Sequence, residues 1–104
     1  MSENDSEVVT VIFRVWKHGQ FKGDVDALFP YLPATIHDRR ITSYCIASAH
    51  GSADYRYMLT KTRLATPDEY AKLKEHLEEV VGYKLKVAKR INYDKWIQSF
   101  VDYS

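Results

Sequence analysis

The N-terminal part of the chain carries apolar side chains at nearly every position of one extended segment. Within Val8–Trp16, alternate residues point to opposite sides, and both sides are mainly apolar. A strand with two apolar faces is typical of a central strand that is covered on both sides. We therefore predict a central strand over Val8–Trp16, in which the charge of Arg14 acts as a gatekeeper against pairing with other chains.

Shorter period-two patterns predict more strands. Val25–Phe29 follows a reversal over His18–Asp24 and ends at Pro30, which cannot donate a ladder hydrogen bond. Ile41–Ala49 and Tyr55–Leu64 are predicted to form a hairpin. Its turn would be His50–Asp54, with Gly51 supplying a positive φ. The irregular stretch between Pro30 and Arg40 is expected to be a surface loop.

A switch to helical spacing marks the main helix, predicted over Pro67–Val81. Thr66 is a good N-cap, Pro67 suits the first helical position, and Glu69 completes a capping box. Gly82 supplies the C-terminal stop. One apolar stripe follows this spacing: Tyr70, Leu73, Leu77, Val80 and Val81.

After the helix, Tyr83–Arg90 predicts a last strand, and residues 93–103 have the spacing of a C-terminal helix. The expected fold is α+β: a mainly antiparallel sheet of about five strands in the order β-β-β-β-α-β-α. Residues 8–104 would form a single domain, because 104 residues suffice for one core. The acidic segment 1–7 is expected to be a disordered tail.

Composition restricts the cellular setting more than the activity. The net charge is +1, and the single cysteine, Cys45, rules out an internal disulfide. Small secreted domains usually depend on several disulfides, so a reducing compartment is expected. The polar N-terminus lacks the features of a signal peptide, and no apolar run reaches the roughly 18 residues of a membrane span. We therefore expect a soluble, cytoplasmic protein with no membrane partner.

Candidate catalytic and metal-binding residues do not assemble in the sequence. Cys45, His50 and Asp54 resemble a nucleophile, base and acid, but Cys45 and His50 have opposite parity on the predicted hairpin. The four histidines lack the short spacings of metal ligands: His18, His37, His50 and His76. Gly19 and Gly23 form no phosphate-binding motif. We expect no catalytic residue, no cofactor and no metal, and hence no enzyme.

Two surfaces remain as candidates for binding. In the C-terminal helix, Trp96, Phe100 and Tyr103 either cover the sheet or bind a protein partner, which includes a second copy of the chain. The last strand offers a basic set with neighbouring tyrosines, which suits single-stranded nucleic acid: Lys84, Lys86, Lys89 and Arg90. A near-neutral net charge disfavours nucleic-acid binding and favours the simpler interpretation of these residues as a solvated face, or as lysines that protect an edge strand from pairing. The predicted function is non-catalytic binding of a protein partner or of a second copy of the chain, with nucleic-acid binding as the alternative and an enzyme of unknown class as the third.

Four short strings occur in an order that is similar to a family of small bacterial proteins. They begin at Ala27 (ALFP), His50 (HGSADY), Ala65 (ATPDEY) and Gly82 (GYKLKVAKR). The resemblance covers roughly Val11 to Arg90 and implies a common fold unit. No activity is established for that family, so the resemblance implies no chemistry.

Overall fold

A six-stranded mixed sheet organises the chain. The computed structural model describes residues 8–47 and 49–103, without the side chain of Tyr103. The predicted tail 1–7 lies outside these residues. The strands are β1 Val8–Trp16, β2 Val25–Thr35, β3 Arg40–Cys45, β4 Ala49–Ala53, β5 Thr62–Leu64 and β6 Lys84–Val87. The order is β4-β3-β2-β1-β5, and β6 pairs in parallel with the first half of β1, so β5 and β6 share one edge of that strand.

Strand β1 lies in the middle of the sheet, as its pattern predicts. Every residue from Val11 to Val15 is buried. Its odd-numbered residues Val11 and Phe13 belong to one apolar cluster, and Ile12 belongs to the other on the opposite face. Apolar side chains on both faces require cover on both faces, because the exposure of either one would forfeit its hydrophobic stabilisation.

Three α-helices provide this cover. They are α1 Tyr55–Lys61, α2 Pro67–His76 and α3 Tyr93–Tyr103. Leu73 of α2 and Leu77 just beyond it pack in the cluster with Phe13. Tyr55 and Met58 of α1 and Phe100 of α3 pack in the cluster with Ile12. The domain is therefore a single α+β unit whose sheet lies between helices.

The main helix begins and ends where the sequence predicts. Thr66 and Glu69 form a reciprocal capping box, and Pro67 occupies the first turn. The last turn, Leu77–Val81, is π-helical and not α-helical. It ends at Gly82, whose φ of 99° lies in the left-handed region that glycine adopts without strain.

The segment Tyr55–Leu64 corrects the sequence prediction of a single strand. It forms helix α1 followed by the short strand β5. The Asp54 side chain accepts hydrogen bonds from the backbone N–H groups of Arg56 and Tyr57, which caps the helix. Tyr55 and Met58 are three residues apart and both buried, so the period of burial is helical.

Strand boundaries in the middle of the chain also differ from the prediction. Strand β2 does not stop at Pro30 but continues to Thr35, and irregular register near Pro33 accommodates the missing proline donors. The expected loop between Pro30 and Arg40 is therefore partly strand. The expected turn His50–Asp54 is largely strand β4, and Gly51 has no positive φ.

We expect Asp54→Ala to lower the free energy of unfolding by about 1 kcal/mol, because two backbone donors of α1 lose their acceptor. Asp54→Asn, which retains a capping oxygen, is the matched control and should stay within about 0.5 kcal/mol of the parent chain. Urea denaturation of the three proteins measures both values. Equal losses in the two variants would contradict the capping role.

The capping carboxylate of α2 should resist protonation. Arg63 contacts Glu69 through two hydrogen bonds of 2.8 and 2.6 Å, and these, with the Thr66 backbone N–H, lower the pKa of Glu69 to about 2. A lowered folded-state pKa stabilises the protein above the ordinary value of 4.5, and this contribution disappears as the pH falls towards about 2.

An NMR titration of the Glu69 carboxyl carbon measures this pKa directly. Arg63→Ala should raise the pKa of Glu69 more than Thr66→Ala does, because Arg63 is the largest cause of the shift and Thr66→Ala keeps the backbone donor. A parent pKa near 4.5, or a larger rise in Thr66→Ala, would disprove this account.

Candidate functional site

A buried arginine lies in the central strand. Arg14 is only 8% exposed and is one of two buried polar or charged residues among those described. Its position in β1 directs it to the face covered by α1 and α3, where Ile12 and Trp16 also point. The expected role of Arg14 as a surface gatekeeper is therefore wrong. A buried guanidinium is costly to desolvate unless partners surround it.

Thr62 supplies the partners that hold this guanidinium. Arg14 Nε donates to Thr62 Oγ1 at 2.9 Å, and Arg14 Nη2 donates to the Thr62 carbonyl at 2.7 Å. Thr62 Oγ1 in turn donates to the Met58 carbonyl at 2.5 Å, which ties β5 to the end of α1. These contacts fix the direction of the side chain but supply no negative charge.

No carboxylate pairs with Arg14 in the described part of the chain. The two ion pairs found there join Arg63 to Glu69 and Lys74 to Glu78. Asp26 is opposite Arg14 in the register of β1 and β2. Its carboxylate instead accepts a hydrogen bond of 3.1 Å from Trp16 Nε1. The hydrogen bonds of the Arg14 guanidinium to the described part of the chain thus go to neutral groups, the hydroxyl and the carbonyl of Thr62.

Arg14 lines a cavity of about 600 Å³. Tyr55, Leu59, Leu64, Ile91 and Tyr93 contribute an apolar and aromatic wall, and Lys89 and Arg90 contribute two more cations. No acidic residue is in this lining. A cavity of this size accommodates a small organic molecule, and its three cations favour an anionic one.

The segment between β6 and α3 positions the two outer cations. Ile91 is buried in the apolar core, so the residues just before it, Lys89 and Arg90, are held at the cavity. Asn92 then caps α3 by accepting from the backbone N–H groups of Asp94 and Lys95, and its own N–H donates to Tyr31 Oη at 2.8 Å. Anchors on both sides of Asn92 make this an ordered connection.

Burial changes the proton affinity of two groups in the cavity. Desolvation lowers the pKa of Arg14, although the neighbouring Tyr55 acts in the opposite direction. Desolvation also raises the pKa of Tyr55, opposed by a hydrogen bond from the Ile91 backbone and by the charge of Arg14. Tyr55 therefore keeps its phenolic proton near neutral pH, and the cavity presents a hydroxyl beside a guanidinium.

The structure divides the basic set that the sequence predicts for nucleic acid. Strand β6 ends at Val87, so Lys84 and Lys86 are exposed on the strand, while Lys89 and Arg90 follow it and line the cavity. The first pair does not line the cavity, and the second pair lies there with Arg14. A role of all four in nucleic-acid binding stays a prediction.

The aromatic residues predicted for partner binding have unequal exposure. Phe100 is buried in the core, and Trp96 is partly buried against the same cluster. The side chain of Tyr103 lies outside the described part. Tyr93, Ile97 and Val101 are instead the exposed apolar residues of α3. The burial of Trp96 and Phe100 therefore fits the alternative in which the C-terminal helix covers the sheet.

Two of the four histidines, His50 and His76, contact tyrosine hydroxyl groups. His50 Nε2 contacts Tyr83 Oη at 2.9 Å, and His76 Nε2 contacts Tyr44 Oη at 2.7 Å. Asp54 caps α1, and Cys45 is opposite Ala49 in the register while His50 is opposite Tyr44. Within residues 8–47 and 49–103, no three or more metal-ligating side chains lie close enough together to hold a metal ion.

Comparisons with known proteins identify no relative from which the function of the site could be inferred. No family model, no curated protein and no solved structure matches the chain. In the described part of the chain, no helix is both long and apolar enough to cross a membrane.

Sequence reasoning missed this cavity because its residues come from distant segments. Arg14 and Thr62 are 48 positions apart, and only the pairing of β1 with β5 joins them. One signal was present: a charge at a position whose alternate neighbours, Ile12 and Trp16, are apolar. In a strand buried on both faces, such a charge has no route to bulk solvent.

We expect Arg14 to be dispensable for folding. Arg14→Met removes a desolvated charge and should leave the free energy of unfolding within about 1 kcal/mol or raise it. Thr62→Val should lower it by about 1–3 kcal/mol, because the buried Nε donor of Arg14 loses its acceptor, Thr62 Oγ1. Chemical denaturation measures both. A loss in Arg14→Met as large as that in Thr62→Val would assign Arg14 a structural role.

Proposed function

We propose that this protein is a small non-catalytic binding domain whose ligand is an organic anion, held in the cavity formed by Arg14, Lys89 and Arg90. The observation that carries the proposal is a buried guanidinium with no carboxylate partner in the described part of the chain, at a cavity with two further cations. A charge placed in this way lowers stability. Its presence is therefore best explained by a function that requires it.

The wall of the cavity favours a ligand with an apolar body. Leu59, Leu64 and Ile91 provide aliphatic surface, and Tyr93 provides a half-exposed ring. The anionic group would lie against Arg14, where a guanidinium can form charge-assisted hydrogen bonds with carboxylate or phosphate oxygens. The Tyr55 hydroxyl, which keeps its proton, is available as a further donor.

A binding role is favoured over catalysis because the titratable groups of the cavity are poorly suited to proton transfer. Arginine stays protonated in proteins, and the raised pKa of Tyr55 moves that group further from neutral pH. The cavity lining contains no histidine, no cysteine and no carboxylate. The cavity is therefore suited to holding a charge and not to moving a proton.

Binding is tested with phenylbutyrate and its neutral counterpart phenylbutanol, followed by amide NMR. Phenylbutyrate should shift the resonances of Arg14, Tyr55 and Ile91, and phenylbutanol should bind roughly tenfold more weakly, because it cannot engage the guanidinium. Arg14→Met should weaken phenylbutyrate binding by a similar factor. Lys84→Gln, which removes a cation outside the cavity, is the control and should not weaken it.

A second arm uses a single-stranded oligonucleotide with the same variants. One result would favour the nucleic-acid alternative over the cavity: the oligonucleotide binds in a salt-sensitive way, and Lys84→Gln and Lys86→Gln weaken this binding as much as Arg14→Met does. Equal binding of phenylbutyrate and phenylbutanol, or of the parent and Arg14→Met, would overturn the proposal.

Protein-partner binding remains a second candidate because α3 presents an exposed apolar stripe. Tyr93, Ile97 and Val101 are spaced four residues apart and are about half exposed. Exposed aromatic and branched side chains at such spacing are typical of helix-mediated contacts, including contacts with a second copy of the chain.

Sedimentation over a range of protein concentrations tests self-association through α3. If the chain self-associates through α3, the parent forms a dimer and the double variant Tyr93→Ser, Ile97→Ser should be a monomer at the same concentration. The fold of the variant should remain, since both side chains are exposed. Val80→Ser, an exposed valine outside the stripe, is the control. A parent chain that is monomeric throughout would contradict self-association.

A further inference from the structure

A second cavity of opposite chemical character lies at the end of the sheet where β1 and β2 meet. Its volume is about 680 Å³. Trp16 and Phe21 contribute aromatic walls, and Ile46 and Leu73 contribute aliphatic ones. The acidic residues of the lining are Asp24, Asp26 and Glu69, and Lys72 is its one cation. We name it the acidic cleft.

The rings of Trp16 and Phe21 lie next to each other in the lining of the cleft. The centroids of Trp16 and Phe21 are 5.6 Å apart, and the rings are inclined by 49°. The loop that carries Phe21 is fixed by backbone hydrogen bonds from Trp16 N–H to the Asp24 carbonyl and from Gly23 N–H to the Trp16 carbonyl, both 3.0 Å. Phe21 is nonetheless about half exposed, so part of its ring is available to a ligand.

Asp26 supplies a partly buried carboxylate beside these rings. One oxygen accepts the hydrogen bond from Trp16 Nε1, and no cation pairs with Asp26 in the described part of the chain. Burial raises the pKa of Asp26, the hydrogen bond from Trp16 opposes this rise, and the charge of Asp24 adds to it. Asp24 and Asp26 both line the cleft, so a cation bound there would stabilise both carboxylates. Glu69 differs, because Arg63 already pairs with it.

Aromatic faces with a carboxylate select for a particular kind of cation. The negative faces of the rings attract a positive charge, and their carbon surface also favours methyl groups over water. A bare ammonium group would lose hydrogen bonds with water that these apolar walls cannot replace. We propose that the acidic cleft binds a methylated ammonium group, carried by a small molecule or by a methylated lysine side chain.

The two tryptophans of the chain provide the readout, because each indole N–H gives its own NMR signal. Tetramethylammonium should shift the Trp16 indole signal, since its N–H donates to Asp26, and should leave that of Trp96, which does not line the cleft. The neutral alcohol tert-butanol, of similar size, should bind roughly tenfold more weakly if the charge is recognised.

Variants separate the charge from the aromatic wall. Asp26→Asn keeps an acceptor for Trp16 and removes the charge, and Phe21→Leu removes an exposed ring; each should weaken tetramethylammonium binding by roughly fivefold or more. Asp94→Asn makes the same charge change on α3, outside the cleft, and is the control. Unchanged affinity in Asp26→Asn, no Trp16 shift, or equal binding of tert-butanol would overturn the proposal.

A third probe distinguishes the two carriers of the group. An acetylated trimethyllysine amide that binds more tightly than tetramethylammonium would assign the cleft to a modified side chain, and weaker binding would assign it to a small molecule. Either result supports recognition of the ammonium group. None of these measurements depends on the anion cavity, so the two proposals fail separately.

Discussion

The burial of β1 on both faces is the constraint from which the other features of the domain follow. A strand with Val11, Ile12 and Phe13 in sequence cannot be half exposed without losing several kilocalories per mole of apolar burial, at about 25 cal/mol for each square ångström. Helix α2 therefore covers one face, and α1 and α3 cover the other. Val11, Ile12 and Phe13 are divided between these two clusters.

Within this strand, Arg14 is the exception that creates a candidate site. Its even position directs it to the α1 and α3 face, where Thr62 accepts its hydrogen bonds and no carboxylate in the described part of the chain forms an ion pair with it. A leucine or methionine at position 14 would fit the apolar pattern of β1 better. The charge is instead maintained beside a cavity, and this conflict between local pattern and residue type is characteristic of functional positions.

The sequence predicts those parts of the fold that depend on near neighbours. The helix beginning at Pro67 follows from Thr66, Glu69 and a stripe with helical spacing, all within one short segment. The segment Tyr55–Leu64 has an ambiguous pattern, because its apolar residues fit both a period of two and a helical period. Its conformation is decided by the Asp54 cap and by burial of Tyr55 and Met58 against the sheet.

The candidate site was less accessible to sequence reasoning for a different reason. Lys89 and Arg90 stood out as basic residues, but their proximity to Arg14 requires the parallel pairing of β6 with β1 and the anchoring of Ile91 in the core. Such long-range placement has no local signature. The acidic cleft likewise combines Trp16, Asp26 and Leu73 from three elements.

The pairing of β1 with both β5 and β6 along one edge has a consequence for synthesis of the protein. The ribosome produces β1 before the other strands of the sheet, yet its edge is complete only when Val87 has emerged and paired with Val11. Until then a strongly apolar strand keeps an open edge, the kind of surface that recruits other unfinished chains. The nascent chain is therefore most prone to misassembly between the emergence of β1 and that of β6, which is the interval in which a chaperone would have the greatest effect on yield.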